Sequence, residues 1–219
     1  MCEVPPHGLD RLWDHLRPMS TSANVTWHEG VVERAQRWES LGQRGATIWF
    51  TGLPASGKST VAAAVEAQLV RAGRPAYRLD GDNLRHGVCG DLGFTAEDRD
   101  QNVRRTAEVA RLFADAGVVA LVSVVSPYES ARQVARELHE RDGLRFVEVF
   151  VNTPIEECER RDPKGLYARA RAGQLSGFTG VDDPYERPRS PDVELRCDDL
   201  AIAVARVLEA LDALVERDD

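Results

Sequence analysis

The chain has 219 residues, 42% of them hydrophobic and 29% charged, with a net charge of −8 at pH 7. That suits one domain with its own core, and it excludes intrinsic disorder and a sequence-independent grip on nucleic acid. The longest apolar run, AGVVALVSVV over 116–125, is about half what a membrane helix needs, and the N-terminus has no secretory pattern.

The four cysteines, Cys2, Cys89, Cys158 and Cys197, are scattered, with neither CxxC nor metal-ligand spacing. They read as reduced thiols in a cytoplasmic protein. Only two of the 28 basic residues are lysines, Lys58 and Lys164; the other 26 are arginines. A lysine kept against that background marks a place where a compact ammonium is wanted rather than a forked guanidinium.

In chain order, residues 1–23 contain Pro, Ser and Thr with weak periodicity, and are expected to form a mobile extension ahead of a domain over 24–219. Apolar spacing predicts a helix from Trp27 to Leu41. The strand ATIWFTG (46–52) follows, then a helix from Lys58 to Ala72 and the strand PAYRLDG (75–81). A long helix runs from Thr95 to Ala116, with acidic residues at its start. VVALVSVV (118–125) is a buried strand, Ser130–Glu140 a helix and RFVEVFV (145–151) a strand. Short helices near 154–160 and 165–172, the loop GFTGVDDPYERP and a helix from Asp198 to Val215 complete the chain. Alternating helices and near-continuous apolar strands give an α/β fold with a parallel sheet covered on both faces. Ligands in such folds bind beyond the carboxyl ends of the strands.

GLPASGKS (52–59) fits GxxxxGK[ST] between a predicted strand and a predicted helix, the context of a P-loop. Gly52 and Gly57 allow the tight turn. The loop from Gly52 through Leu53, Pro54, Ala55 and Ser56 to Gly57 offers its N–H groups to phosphates, with Thr60 opening the helix behind it. Lys58 is placed for the β- and γ-phosphates of a nucleoside triphosphate and the Ser59 hydroxyl for Mg²⁺. GLPASG lacks the G-x-G-x-x-G of a dinucleotide site. Neither lysine fits an NKxD guanine-specificity motif, which disfavours a switch GTPase.

The apolar strand VVALVSVV ends in Ser126-Pro127-Tyr128 without an acid, so the metal-side carboxylate has to come from Asp80 and Asp82 at the tip of the second strand. Asp82 is the candidate general base or orienter of an acceptor hydroxyl, and Asp80 lies nearer the Mg²⁺ water shell. Lys164, in DPKGLYARARAG, sits on a candidate lid, with Arg169 and Arg171 as further charges. His28, His86 and His139 show no metal spacing.

DGDNLRHG (80–87), DLGFTAEDRDQNVRR (91–105), SPY (126–128), DPKGLY (162–167) and SGFTGVDDPYE (176–186) occur in order. Together they resemble the adenylylsulfate (APS) kinase family, as does NVTWHEG at 24–30, so the likeness covers roughly 24–195. It implies a P-loop kinase with a lid over the nucleotide, which moves the γ-phosphate of ATP to the 3′-hydroxyl of APS to give PAPS in sulfate assimilation. It also implies Mg²⁺, no nucleic-acid or membrane partner, and a homodimer. By the resemblance Asn83, Arg85, Arg99, Asn102, Val125, Gly177 and Lys164 belong to the APS site, while Arg104 and Arg105 are surface residues by default. Phe94 and Phe178 sandwich the APS adenine. Ser126 lines the site and counts among the catalytic candidates as a phospho-acceptor position in the family, but nothing near it in sequence activates it as a nucleophile.

The chain departs from the family where it reads SPYESAR instead of SPYRADR, with Glu129 for a basic residue and Ala131 for an acidic one, and where Asn152 replaces the Asp of VDTP. The reversed charge at 129 is expected to bear on APS affinity, lid contacts or a dimer surface. It also leaves room for a related kinase acting on another nucleotide conjugate, such as a cytidine diphosphate derivative. A non-catalytic ATP-binding subunit is disfavoured by the joint presence of Lys58, Ser59, Asp82 and Lys164.

Overall fold

The computed structural model describes residue 28, residues 30–196 and residues 199–213. Contacts divide the chain into Met1–Glu33 and Arg34–Asp219; every element named below belongs to the second unit. The extension expected over 1–23 lies outside the described residues.

The elements run α1 (Arg34–Leu41), β1 (Ala46–Thr51), α2 (Lys58–Arg71), β2 (Ala76–Asp80), α3 (Gly81–Leu84), α4 (Ala96–Asp115), β3 (Val119–Ser123), α5 (Glu129–Arg141), β4 (Arg145–Val151), α6 (Ile155–Arg161), α7 (Leu166–Arg171), β5 (Val193–Leu195) and α8 (Leu200–Ala213). The five strands form one parallel sheet in the order β2-β3-β1-β4-β5. The expected sheet is therefore present, and every residue of β1, β3 and β4 is buried.

Alternation along β1 sorts the two cores. Ala46, Ile48 and Phe50 pack on Val61, Val65 and Leu69 of α2 and on Val204, Val207 and Leu211 of α8. Trp49 packs on the other face with Val103, Ala107 and Ala110 of α4 and Ala135 of α5. A smaller cluster of Cys158, Tyr167, Ala170 and Phe178 joins α6, α7 and the loop after them.

Three expectations are corrected. Of the helix expected over Trp27–Leu41, the described residues are helical only over Arg34–Leu41; ahead of it Gly30 and the β-branched Val31 and Val32 oppose helix. Residues 81–84, read as strand end and loop, form the single turn α3, capped by the Asp80 carboxylate on the Asp82 N–H (3.1 Å). The three-residue β5 was too short to register as a pattern. Cys89 and Cys158 are buried and unbridged, whereas Cys2 and Cys197 lie outside the described residues.

Candidate active site

A cavity of about 640 Å³ opens where β2 and β3 end and where β1 runs into the P-loop. After β1 the chain turns through Gly52 (φ 147) and Ala55 (φ 59) to Gly57 (φ 106), the residue that precedes α2. A Cβ on Gly52 would lie 2.6 Å from the Val151 carbonyl oxygen, so glycine is required by space as well as by φ. The turn is braced from outside. Thr153 Oγ1 donates to the Ser56 carbonyl (2.8 Å), Arg161 Nη1 to the same oxygen (3.3 Å), and the Tyr167 hydroxyl to the Pro54 carbonyl (3.0 Å).

Lys58 is buried, and its ammonium donates to the Gly52 and Leu53 carbonyls (3.0 and 2.7 Å). Burial pushes its pKa down to about 8, against the opposing fields of Cys158, Asp80 and Asp82. The Ser59 and Ser123 hydroxyls stand 3.1 Å apart. Of the predicted loop residues, Pro54, Ala55, Gly57, Lys58, Ser59 and Thr60 border the cavity. Gly52, Leu53 and Ser56 shape the turn from beneath.

The two carboxylates differ in setting. Asp80 is buried at the end of β2, accepting from Arg78 Nη1 (2.8 Å) as well as from the Asp82 N–H. Asp82 is exposed and paired with the Lys164 ammonium. Both border the cavity, as do Arg85, Phe94, Arg99, Asn102, Val125, Ser126, Lys164 and Phe178. Asn83 and Gly177 do not.

Arg85 Nη1 donates to the Leu92 and Gly93 carbonyls (3.1 and 2.9 Å), and its guanidinium stands 4.3 Å over the Phe94 ring. Arg99 donates to the carbonyls of Phe94 (3.1 Å) and Gly177 (2.5 Å), joining the loops that carry the two predicted aromatics. Phe94 is 62% exposed, while Phe178 is buried edge-on against Tyr167 (4.9 Å). Asn102 is 93% buried, and its Nδ2 makes no well-formed hydrogen bond within the protein, meeting only the weak acceptor of the Cys89 thiol. A buried donor left unpaired costs free energy unless a ligand supplies the acceptor.

Other expectations move. The Ser126 hydroxyl is buried, accepting from Trp49 Nε1 (3.1 Å) and donating to Thr51 Oγ1 (2.9 Å). Arg105 pairs with Asp91 (2.6 Å) and Arg171 with Glu159 (2.5 Å); they, Arg104 and Arg169 stand off the cavity. Glu129 does not border the cavity either, because its carboxylate turns onto the buried Arg132. Asn152 bridges Glu194 (2.5 Å) and Arg187 (2.6 Å).

Sequence reasoning missed Ser123, Arg161, Tyr167 and Thr179, all bordering the cavity. Ser123 lay inside a run read as strand to residue 125, whereas β3 stops at Ser123 itself. Arg161 was one arginine among many. Gly57, Thr60 and Arg161 also border a second cavity of about 180 Å³ beside Leu195 and Leu200.

Known proteins resemble the chain along most of its length. The sequence model of the family described as adenylylsulphate kinase matches residues 44–196. The adenylyl-sulfate kinase of Enterobacter sp. (strain 638) is 52% identical over 196 residues, covering 90% of this chain and 95% of its own. That of Penicillium chrysogenum is 50% identical over 200 residues, covering 87% and 95%. Among solved structures, the Mycobacterium tuberculosis APS kinase CysC in complex with AMPPNP and APS superposes with a TM-score of 0.76 at 51% identity, over 78% of this chain and 99% of that one. The likeness runs along nearly the whole length of these relatives, and the chain belongs to the adenylylsulphate kinase family.

Proposed function

We propose that the protein phosphorylates the 3′-hydroxyl of adenosine 5′-phosphosulfate with ATP, giving PAPS and ADP as a step in sulfate activation. One observation carries the reading: a single cavity is bordered both by Lys58 and Ser59 of the P-loop and by Phe94, Asn102 and Phe178, with Asp80 and Asp82 among its walls. Phosphoryl donor and nucleotide acceptor therefore share one enclosure, and catalysis rests on alignment and charge.

In the reaction, O3′ bonds to the γ-phosphorus as the bond from phosphorus to the ADP oxygen breaks. Asp82 orients the hydroxyl and takes its proton, then returns it to solvent. Lys58 leaves the loop carbonyls for the β- and γ-oxygens, and Lys164 turns from Asp82 to the phosphoryl group as the segment around α7 closes. Phe94 and Phe178 flank the acceptor adenine, and Asn102 Nδ2 donates to the acceptor. Arg85 and Arg99 hold the loops that carry those rings and stand beside the phosphosulfate. The second cavity, bordered by Arg161, suits the ATP base.

The donor set fits Mg²⁺. Among the described residues no cluster of three or more His, Cys, Asp or Glu would hold a metal alone. The hard oxygens of Ser59 and Asp80 instead suit an ion that arrives on the triphosphate. Ser59 would hold such an ion and Asp80 its water shell, and the ion would supply charge neutralisation to the transferred group.

The reading extends to a kinase domain over 24–219 behind an extension over 1–23, a homodimer and a cytoplasmic location. No helix among the described residues is long and apolar enough to cross a membrane. The cytidine-conjugate alternative drew on Glu129, which faces Arg132. Incubation with Mg-ATP and APS is expected to give stoichiometric PAPS and ADP. No turnover at micromolar APS, with turnover of another acceptor in a labelled-ATP screen, would overturn the assignment.

A further inference from the structure

Resting on that reading of the cavity, we propose that Arg132 is a positioning residue for the acceptor wall, locking the strained turn at Ser126 and the stretch around Glu186 into one arrangement.

Ser126 has φ 40, a region that a residue with a Cβ enters only when its surroundings over-determine it. Its hydroxyl is fixed between Trp49 and Thr51. Thr51 Oγ1 in turn donates to the Val125 carbonyl (2.7 Å) and meets the Tyr185 hydroxyl (3.0 Å). The Ser126 carbonyl accepts from Arg132 Nη1 at 2.7 Å and, at a longer 3.4 Å, from Thr51 Oγ1.

Arg132 is 2% exposed. Nη2 donates to the Glu186 carbonyl (2.7 Å) and to the Glu129 carboxylate. Nε lies 3.0 Å from Glu148 Oε1 in an arrangement too bent for a hydrogen bond, so that contact is ionic. The guanidinium also stands 5.7 Å over the Tyr185 ring. One rigid fork thereby joins two carbonyls from separate stretches of chain, which an ammonium on a flexible stem does poorly. One stretch, 123–127, borders the cavity directly; the other follows Phe178 and Thr179, which also border it. Glu129 and Glu148 hold the fork's charge, so the residue that departs from the family pattern works as part of this clamp.

The donor side is held by other groups, namely Thr153, Arg161 and Tyr167 on the P-loop. Loss of Arg132 is therefore felt by the acceptor and not by ATP. The test is steady-state PAPS formation by the full chain, with APS and ATP varied separately and thermal stability measured alongside. The variants are Arg132→Lys, Arg132→Met, Glu148→Gln and the double variant Arg132→Met with Glu148→Met, which removes both buried charges and so protects the fold. Expected are a rise in the KM for APS of about tenfold or more in the Arg132 variants, least for lysine, and a KM for ATP within about twofold of wild type. Glu148→Gln is expected to lower the melting temperature while leaving the KM for APS within about twofold. The proposal is overturned if the double variant keeps the wild-type KM for APS, or if both KM values rise together in step with lost stability. Failure of the wild type to make PAPS would instead overturn the reading of the cavity, an outcome visible before any variant is made.

Discussion

The ammonium of Lys164, just before α7, pairs with the carboxylate of Asp82 on α3, across 82 residues of sequence. Both side chains are more than half exposed, so the pair is a weak tie of about 0–1 kcal/mol. It therefore opens readily when an anion enters, and it leaves the carboxylate at the cavity with the cation beside it.

Asp82→Ala is expected to lower kcat for PAPS formation by about 10²–10⁴-fold, the span of general-base contributions. ATP affinity, read by calorimetry, should stay within about threefold, because Lys58 and the P-loop are untouched. Turnover at the wild-type rate would move the base to another group.

Lys58 gives ATP binding a pH dependence. Burial lowers its pKa to about 8 in the free protein, and bound phosphates favour the charged form. Above about pH 8 the free protein has lost a proton that the complex retains, so affinity falls as pH rises and binding takes up a proton. The calorimetric binding enthalpy at pH 9 should therefore vary with the ionisation heat of the buffer. The same enthalpy at pH 9 in buffers of different ionisation heat would show that the lysine stays charged throughout.

His139 is fully buried, with Nδ1 on the Ala135 carbonyl (2.7 Å) and Nε2 on the Thr47 hydroxyl (2.8 Å). Burial depresses its pKa below the ordinary value, so the unfolded chain binds the proton more readily than the native one. Stability should fall as pH drops through about 6.5 toward the folded pKa, and the contribution should level off below that. His139→Gln is expected to lose stability at pH 7.5 but to show a shallower decline of melting temperature between pH 7 and 5. An unchanged slope would mean that other groups set it.

Asn102→Leu separates stability from function. It removes a buried Nδ2 that makes no well-formed hydrogen bond and meets only the Cys89 thiol, so the melting temperature should hold or rise. The lost contact to the acceptor should raise the KM for APS by about tenfold, in line with a hydrogen-bond contribution of ~1–1.5 kcal/mol. A fall in stability with unchanged KM would make Asn102 a structural residue.

The P-loop was legible because its chemistry demands residues that few other contexts require: Gly52 and Gly57 take φ values of 147 and 106, and the lysine stands out in an arginine-rich chain. Asp80 and Asp82 were legible as strand-end acids, since a parallel sheet fixes where such ends converge. What stayed hidden was the direction of side chains. Spacing alone could not tell that Arg99 would span Phe94 and Gly177, or that Glu129 would turn inward to Arg132 rather than toward substrate. Short elements were hidden too: α3 and β5 are held by a cap and by pairing with β4, neither of which leaves a periodic trace.

Because Lys58 and Lys164 border the same cavity and are the only lysines in the sequence, the protein carries its entire ε-amine complement at one site. An amine-directed acylating reagent would meet the lysines of this sequence at that cavity alone. Labelling stoichiometry would then report occupancy, falling as nucleotide shields the two positions. In most proteins such a reagent is diluted over many surface lysines; here the near-total use of arginine elsewhere turns a crude modifier into an active-site probe.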